Sequence, residues 1–75
     1  MDIVDILIYI HPDLLANQRV KLEETISSSE GIMSVHFSPQ HTRELTVAYN
    51  PETTSSKTIL EQVRLWDREA TMVGL

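Results

Sequence analysis

The chain contains no cysteine, which excludes disulfide staples, thiol catalysis and thiolate metal sites together. Positive charge is also scarce, with six Lys and Arg against eleven Asp and Glu and a net charge of −5. Nucleic-acid binders normally present a basic face, so that class of partner is excluded. Only two glycines and three prolines occur, and Gly31 and Gly74 do not make a phosphate-cradling loop. No apolar run approaches the length needed to span a bilayer, so no membrane insertion is expected. The opening Met1-Asp2-Ile3-Val4-Asp5 lacks the basic region of a signal peptide, and a cytoplasmic protein is the expectation.

Within the 75 residues, 41% are apolar, enough for one core and too many for a disordered segment. A single domain over residues 1–75 follows. Ile3 to Ile10 reads I-V-D-I-L-I-Y-I, a β-branched run that stops at His11-Pro12 and predicts a central strand. Val4, Ile6, Ile8 and Ile10 then face a core, while Ile3, Asp5, Leu7 and Tyr9 face away from it. From Asp13 to Ser29 the period becomes helical, with Leu15, Leu22 and Ile26 on one stripe and Arg19 along its edge. Asp13 is the expected N-cap, with Asn17 as the alternative, and Gly31 is the expected stop.

Ile32 to Phe37 alternates, placing Met33, Val35 and Phe37 on one face and Ser34 and His36 on the other. Pro39 to Thr42 forms a turn, and Arg43 to Tyr49 alternates again with Leu45, Val47 and Tyr49 inward and Thr46 and Ala48 outward. Thr53 to Ser56 offers caps for a second helix from Lys57 to Asp67, in which Ile59, Val63 and Trp66 recur at helical spacing. Ala70 to Leu75 is apolar enough for a last strand. The order β-α-β-β-α-β predicts a ferredoxin-like α+β two-layer sandwich whose antiparallel sheet runs 4-1-3-2.

These elements resemble the heavy-metal-associated domain of copper chaperones and metal-transporting ATPases. The likeness rests on Leu22-Glu23-Glu24-Thr25-Ile26, on Gly31-Ile32-Met33-Ser34-Val35, and on Leu45 to Pro51 with its Asn-Pro exit. Ser55 to Val63 and Ala70 to Val73 resemble the family's second helix and last strand. The resemblance implies metal handling through a Cys-x-x-Cys pair, yet those two positions fall here on Leu15 and Gln18, and the methionine before the pair falls on Asp13. Monovalent copper needs thiolate or thioether ligands, so the family's two-thiolate route is not expected. Leu15 instead reads as part of the core stripe.

Two surfaces remain as candidates. The topology gathers the loop ends carrying His11, Asp13, His41, Asp67 and Glu69 at one end of the sheet. Of these, His11, His41, Asp13 and Asp67 are donors suited to a divalent zinc, nickel, cobalt or copper ion. Against that, no His-x-x-x-His spacing exists, and His36 lies on a strand face. The other surface is the sheet face away from the helices, where Ile3, Leu7 and Tyr9 stand on one strand beside Ala48. It predicts a non-catalytic module that meets a protein partner or a second copy, by stacking sheets or by pairing the edge strand Ile32 to Phe37. A small regulatory or sensing domain is the third reading, with no residue selecting a ligand. Catalysis is not expected: Ser27 to Ser29 lack a partnered base, Glu23 and Glu24 point to different azimuths, and the chain is short for a lined pocket.

Overall fold

A computed structural model of the chain describes residues 2–11 and 14–74. Six elements follow in order: β1 (Val4–Tyr9), α1 (Ala16–Ser27), β2 (Ile32–Phe37), β3 (Glu44–Tyr49), α2 (Ser56–Arg64) and β4 (Thr71–Gly74). The strands form one antiparallel sheet ordered β2-β3-β1-β4, the expected 4-1-3-2 order of a ferredoxin-like sandwich read from the other edge. β1 and β3 take the centre, where both long sides of a strand are hydrogen-bonded, and β2 and β4 form the edges.

Alternation sets the layers. Ile6, Ile8 and Ile10 are buried with Leu45, Val47 and Tyr49, and Leu22, Ile26, Ile59, Val63 and Ala70 close over them. Val4, Leu14, Leu60 and Trp66 pack at the margin of this core. Because side chains alternate along a strand, the opposite face of the sheet carries Asp5, Leu7 and Tyr9 of β1 with Glu44, Thr46 and Ala48 of β3.

In β2 the structure departs from simple alternation. Ile32 lies opposite Tyr49 and Ser34 opposite Ala48, so Met33 is an inserted residue in a β-bulge. Ile32, Val35 and Phe37 are the residues that reach the core, and Met33, expected inward, is exposed. The bulge also bends an edge strand, which blunts its use as a template for pairing with a second chain.

Helix α1 begins later than the periodicity implied. Its N-cap is Leu15, whose side chain has no atom to accept a hydrogen bond from the first turn, although its carbonyl accepts the Arg19 N–H at 3.0 Å. Asp13, the expected cap, lies outside the described residues. Gln18 Oε1 instead accepts the Leu15 N–H at 2.8 Å, and the Arg19 guanidinium donates to the Leu14 carbonyl. Leu15 is therefore 67% exposed rather than part of the core stripe, and Leu14 is the leucine packed against the core. At the other end, Ser27 and Ser28 hydroxyls donate to the carbonyls of Glu24 and Thr25 at 3.1 and 2.8 Å, which competes with further helix. Gly31 then turns the chain with φ +88°, a conformation that side chains rarely adopt. Helix α2 starts at Ser55, whose Oγ accepts the Thr58 N–H at 3.2 Å.

Candidate functional site: the open sheet face and the histidine end

Register fixes which side chains share the open face. Leu7 lies between Thr46 and Val73, and Thr46 lies opposite His36, giving the row His36–Thr46–Leu7–Val73 across all four strands. One step toward the loops, Tyr9 lies between Glu44 and Thr71. One step the other way, Ala48 lies between Ser34 and Asp5. On β4 the outward set is thus Thr71 and Val73, with Met72 opposite Ile8 on the core side. Ile3, Tyr9 and Val73 are 44%, 39% and 46% exposed, while Leu7 and Ala48 at the centre are half-buried by their neighbours.

Lys and Arg are absent from the strands that build this face, which read VDILIY, IMSVHF, ELTVAY and TMVG, although Arg43 stands beside Glu44 at its loop-end corner. Asp5 and Glu44 are the acidic members of the face, and His36 is the histidine of its strands. The sequence leaves open whether Ala70, Met72 and Gly74 or Thr71, Val73 and Leu75 of the last strand join Ile3, Leu7, Tyr9 and Ala48 on this surface, and it does not single out Glu44. The register of β4 decides the first. Glu44 had a visible signal, because it stands three residues after His41 and at the first outward position of β3.

At the loop end the two histidines turn to different carboxylates. Asp67, in the segment between α2 and β4, is buried. Its Oδ2 accepts the His11 backbone N–H at 2.8 Å and faces His11 Nδ1 at 3.3 Å, while Oδ1 accepts the Glu69 N–H at 3.1 Å. Burial alone would raise the Asp67 carboxyl. The N–H donors of His11 and Glu69, with the His11 side chain, outweigh that and hold it below its ordinary value. This carboxylate ties the end of β1 to the start of β4.

His41 belongs to the turn between β2 and β3, where the Glu44 N–H donates to the His41 carbonyl at 2.9 Å. Its Nδ1 faces Glu44 Oε2 at 3.9 Å. An open depression of about 320 Å³ lies here, lined by Tyr9, His41, Thr42, Arg43 and Glu44. Of the candidate metal donors, then, His11 meets Asp67, His41 lies beside Glu44, and Asp13 lies outside the described residues. Among the described residues no group of three or more His, Asp and Glu side chains converges.

No family model and no curated protein matches the sequence. Solved structures do match. The CsoZ metallochaperone superposes with a TM-score of 0.74 at 22% identity, over 96% of this chain and 99% of that one. Oxidized MerP from Ralstonia metallidurans CH34 gives 0.74 at 15% identity over 97% of each chain. A copper-binding domain from HMA7, a P-type ATPase, gives 0.74 at 14% identity over 96% of this chain and 93% of that one. The chain has a metallochaperone-like fold. At these identities the likeness is one of architecture, and the residues at the loop end decide what the fold can do.

The two positions that the resemblance assigns to metal thiolates do not fit a soft ion. Leu15 offers no donor atom, and the Gln18 carbonyl oxygen is held by the Leu15 N–H. Neither is a ligand for monovalent copper. No helix among the described residues is long and apolar enough to cross a membrane.

Proposed function

We propose that the protein is a non-catalytic interaction module that uses its open sheet face to dock a basic protein partner. The observation that carries this reading is the outward pair Leu7 and Val73 on a face that also exposes Tyr9 and bears Asp5 and Glu44 but no strand Lys or Arg, with Ile3 exposed just before β1. Apolar residues give such a contact its affinity, and the acidic residues, with a net charge of −5, steer and orient a cationic partner.

Size sets the class of contact. Four strands of at most six residues span roughly 20 by 19 Å, or about 400 Å². Burying that patch on both partners removes about 800 Å², below the ~1,200–2,000 Å² of stable complexes and in the range of transient encounters. Stacking two copies face to face would bring Asp5 and Glu44 against the same acidic face, so a homodimer is the weaker alternative. Two of the structural neighbours are named as a metallochaperone and a copper-binding domain.

A second reading, carriage of a divalent ion at the histidine end, draws on those names and on the nearness of His11 to Asp67. Both Asp67 oxygens already accept backbone N–H groups, so an ion there would displace part of a structural tie.

Affinity capture from the source cells tests the docking reading, comparing the wild type with the Ile3→Glu, Val73→Glu double variant and with Val20→Glu on the exposed side of α1. A partner lost with the sheet-face variant, retained with Val20→Glu and released by salt supports it. Capture insensitive to the sheet-face variant, or lost with Val20→Glu instead, refutes it. Titration with zinc, nickel, cobalt and cupric ions, repeated with His11→Ala and His41→Ala, tests the second reading; binding that either variant weakens supports it, and binding unchanged in both refutes it.

A further inference from the structure

The docking reading leaves open how a partner is held in register, and the loop-end corner of the same face supplies a site for that. We infer that the depression lined by Tyr9, His41, Thr42, Arg43 and Glu44 is an anchor pocket for an arginine side chain of the partner. The inference rests on the docking reading for the source of that side chain, but the pocket's chemistry stands on its own residues.

Three features select the occupant. The volume, about 320 Å³, sits at the lower end of small-molecule pockets, roughly 300 Å³, and the site is open, so it suits one long side chain rather than an enclosed ligand. Tyr9 and Glu44 are direct partners across the β1–β3 ladder, which sets an aromatic ring beside a carboxylate at one strand-pair spacing. A guanidinium can lie on a ring face while its N–H groups fork onto a carboxylate, whereas an ammonium engages only as a point charge. Glu44 Oε2 is 3.9 Å from His41 Nδ1, beyond hydrogen-bond range, so His41 does not take up the acceptor sites of the carboxylate.

The wall is also well supported. The Ile10 N–H donates to the Arg43 carbonyl at 2.8 Å, the Ser38 N–H to the Glu44 carbonyl at 3.0 Å, and the Glu44 N–H to the His41 carbonyl at 2.9 Å. Tyr9 and Glu44 therefore stand on backbone pinned from both neighbouring strands, which reduces the ordering required on binding. Arg43 contributes to the lining and makes an interaction of its own, so it is not assigned a role in holding the guest.

The test is a titration of the isotopically labelled protein with L-arginine amide, L-lysine amide and L-norleucine amide, followed by amide chemical shifts. Arginine amide should shift Tyr9, Thr42, Arg43, Glu44 and Thr71, bind about threefold or more tighter than lysine amide, and be unmatched by norleucine amide. Glu44→Gln should weaken arginine amide about three- to tenfold, and Tyr9→Leu about two- to fivefold. Shifts of distant core amides report whether either variant still folds. Equal binding by norleucine amide, equal binding by lysine amide, shifts centred elsewhere, or a folded Glu44→Gln variant that binds as before would each overturn the pocket. Should the amides fail while capture remains sensitive to Ile3→Glu, Val73→Glu, the face docks its partner without this anchor. Should capture prove insensitive while the amides behave as expected, the pocket stands and the docking surface does not.

Discussion

Replacing Asp67 by Asn probes the tie between β1 and β4 with almost no change of shape. In the wild type one buried carboxylate accepts the His11 N–H at 2.8 Å and the Glu69 N–H at 3.1 Å, with His11 Nδ1 at 3.3 Å. An amide keeps one acceptor oxygen and turns the other position into a donor, so one N–H loses a charged acceptor. Hydrogen bonds to charged groups contribute about 1.5–3 kcal/mol, and a loss of about 2 kcal/mol is expected. At roughly 0.05–0.15 kcal/mol per residue, a chain of this length has only about 4–11 kcal/mol in total. The midpoint of thermal unfolding should then fall by about 8–16 °C, at about 4–8 °C per kcal/mol for a domain of this size.

The pH dependence separates this cause from a generic packing defect. The Asp67 carboxyl lies below its ordinary value of 3.8 in the folded chain. As pH falls, the unfolded chain therefore takes up this proton first. The contribution is complete above about pH 4 and is lost as pH falls through the folded value. Asp67→Asn has no such proton to take up, so the gap between the two proteins should narrow below about pH 4, while the other carboxylates titrate in both and cancel. Urea titrations followed by fluorescence of Trp66, the residue before Asp67, supply the measurement. His11→Ala retains the backbone N–H and should cost less than Asp67→Asn. An Asn variant as stable as the wild type at pH 7, or a gap unchanged between pH 7 and pH 3, would refute the tie.

Two further outcomes follow from positions where space or chemistry is tight. In Gly31→Ala the new Cβ would stand 2.9 Å from Thr53 Cβ and 3.1 Å from Thr54 Cγ2, at φ +88°; strain and overlap together should cost about 2–3 kcal/mol, read as a lower urea midpoint with an unchanged slope. The double variant Leu15→Cys, Gln18→Cys should bind monovalent copper more tightly than the wild type, measured by competition with a chromophoric chelator. It should also lose about 0.5–1 kcal/mol of stability, because the Leu15 N–H no longer has the Gln18 oxygen. A double variant with no gain in copper affinity would show that the resemblance places the thiolate positions wrongly.

What was legible in the sequence is what alternation alone determines. Ile6, Ile8, Ile10, Leu45, Val47 and Tyr49 are inward as their parity requires, and that parity also puts Tyr9 on the open face, with Ile3 exposed just before the strand. Parity fails where a residue is inserted, which is why Met33 was expected inside and is displaced by the bulge at Ile32–Ser34. Helical spacing fails at a helix start for a related reason. Leu15 has the right phase for the stripe of Leu22 and Ile26, but it precedes the first turn with extended backbone, φ −67° and ψ 157°, so phase does not carry its side chain inward. Topology correctly brought His11 and Asp67 to one end. It could not foresee that the shortest contact to that carboxylate would come from the His11 main chain, which turns a candidate pair of ligands into a structural tie.

The same parity explains why the two ends of the molecule are so differently free to change. Along β1 the residues that hold the fold and those offered outward are interleaved, so Ile3 and Tyr9 can vary while Ile6 and Ile8 remain fixed in the core. A binding surface built on such a strand can change its partner at little cost to folding. The start of α1 has no such separation. Gln18 supplies the hydrogen bond that the capping leucine cannot, and the nearby end of β1 is held through Asp67, so placing donors for a soft ion there means removing groups that close the helix. On the proposed docking reading, the sheet face is therefore easier to adapt than the loop, and its strands, with Asp5 and Glu44 but no Lys or Arg, would favour basic partners.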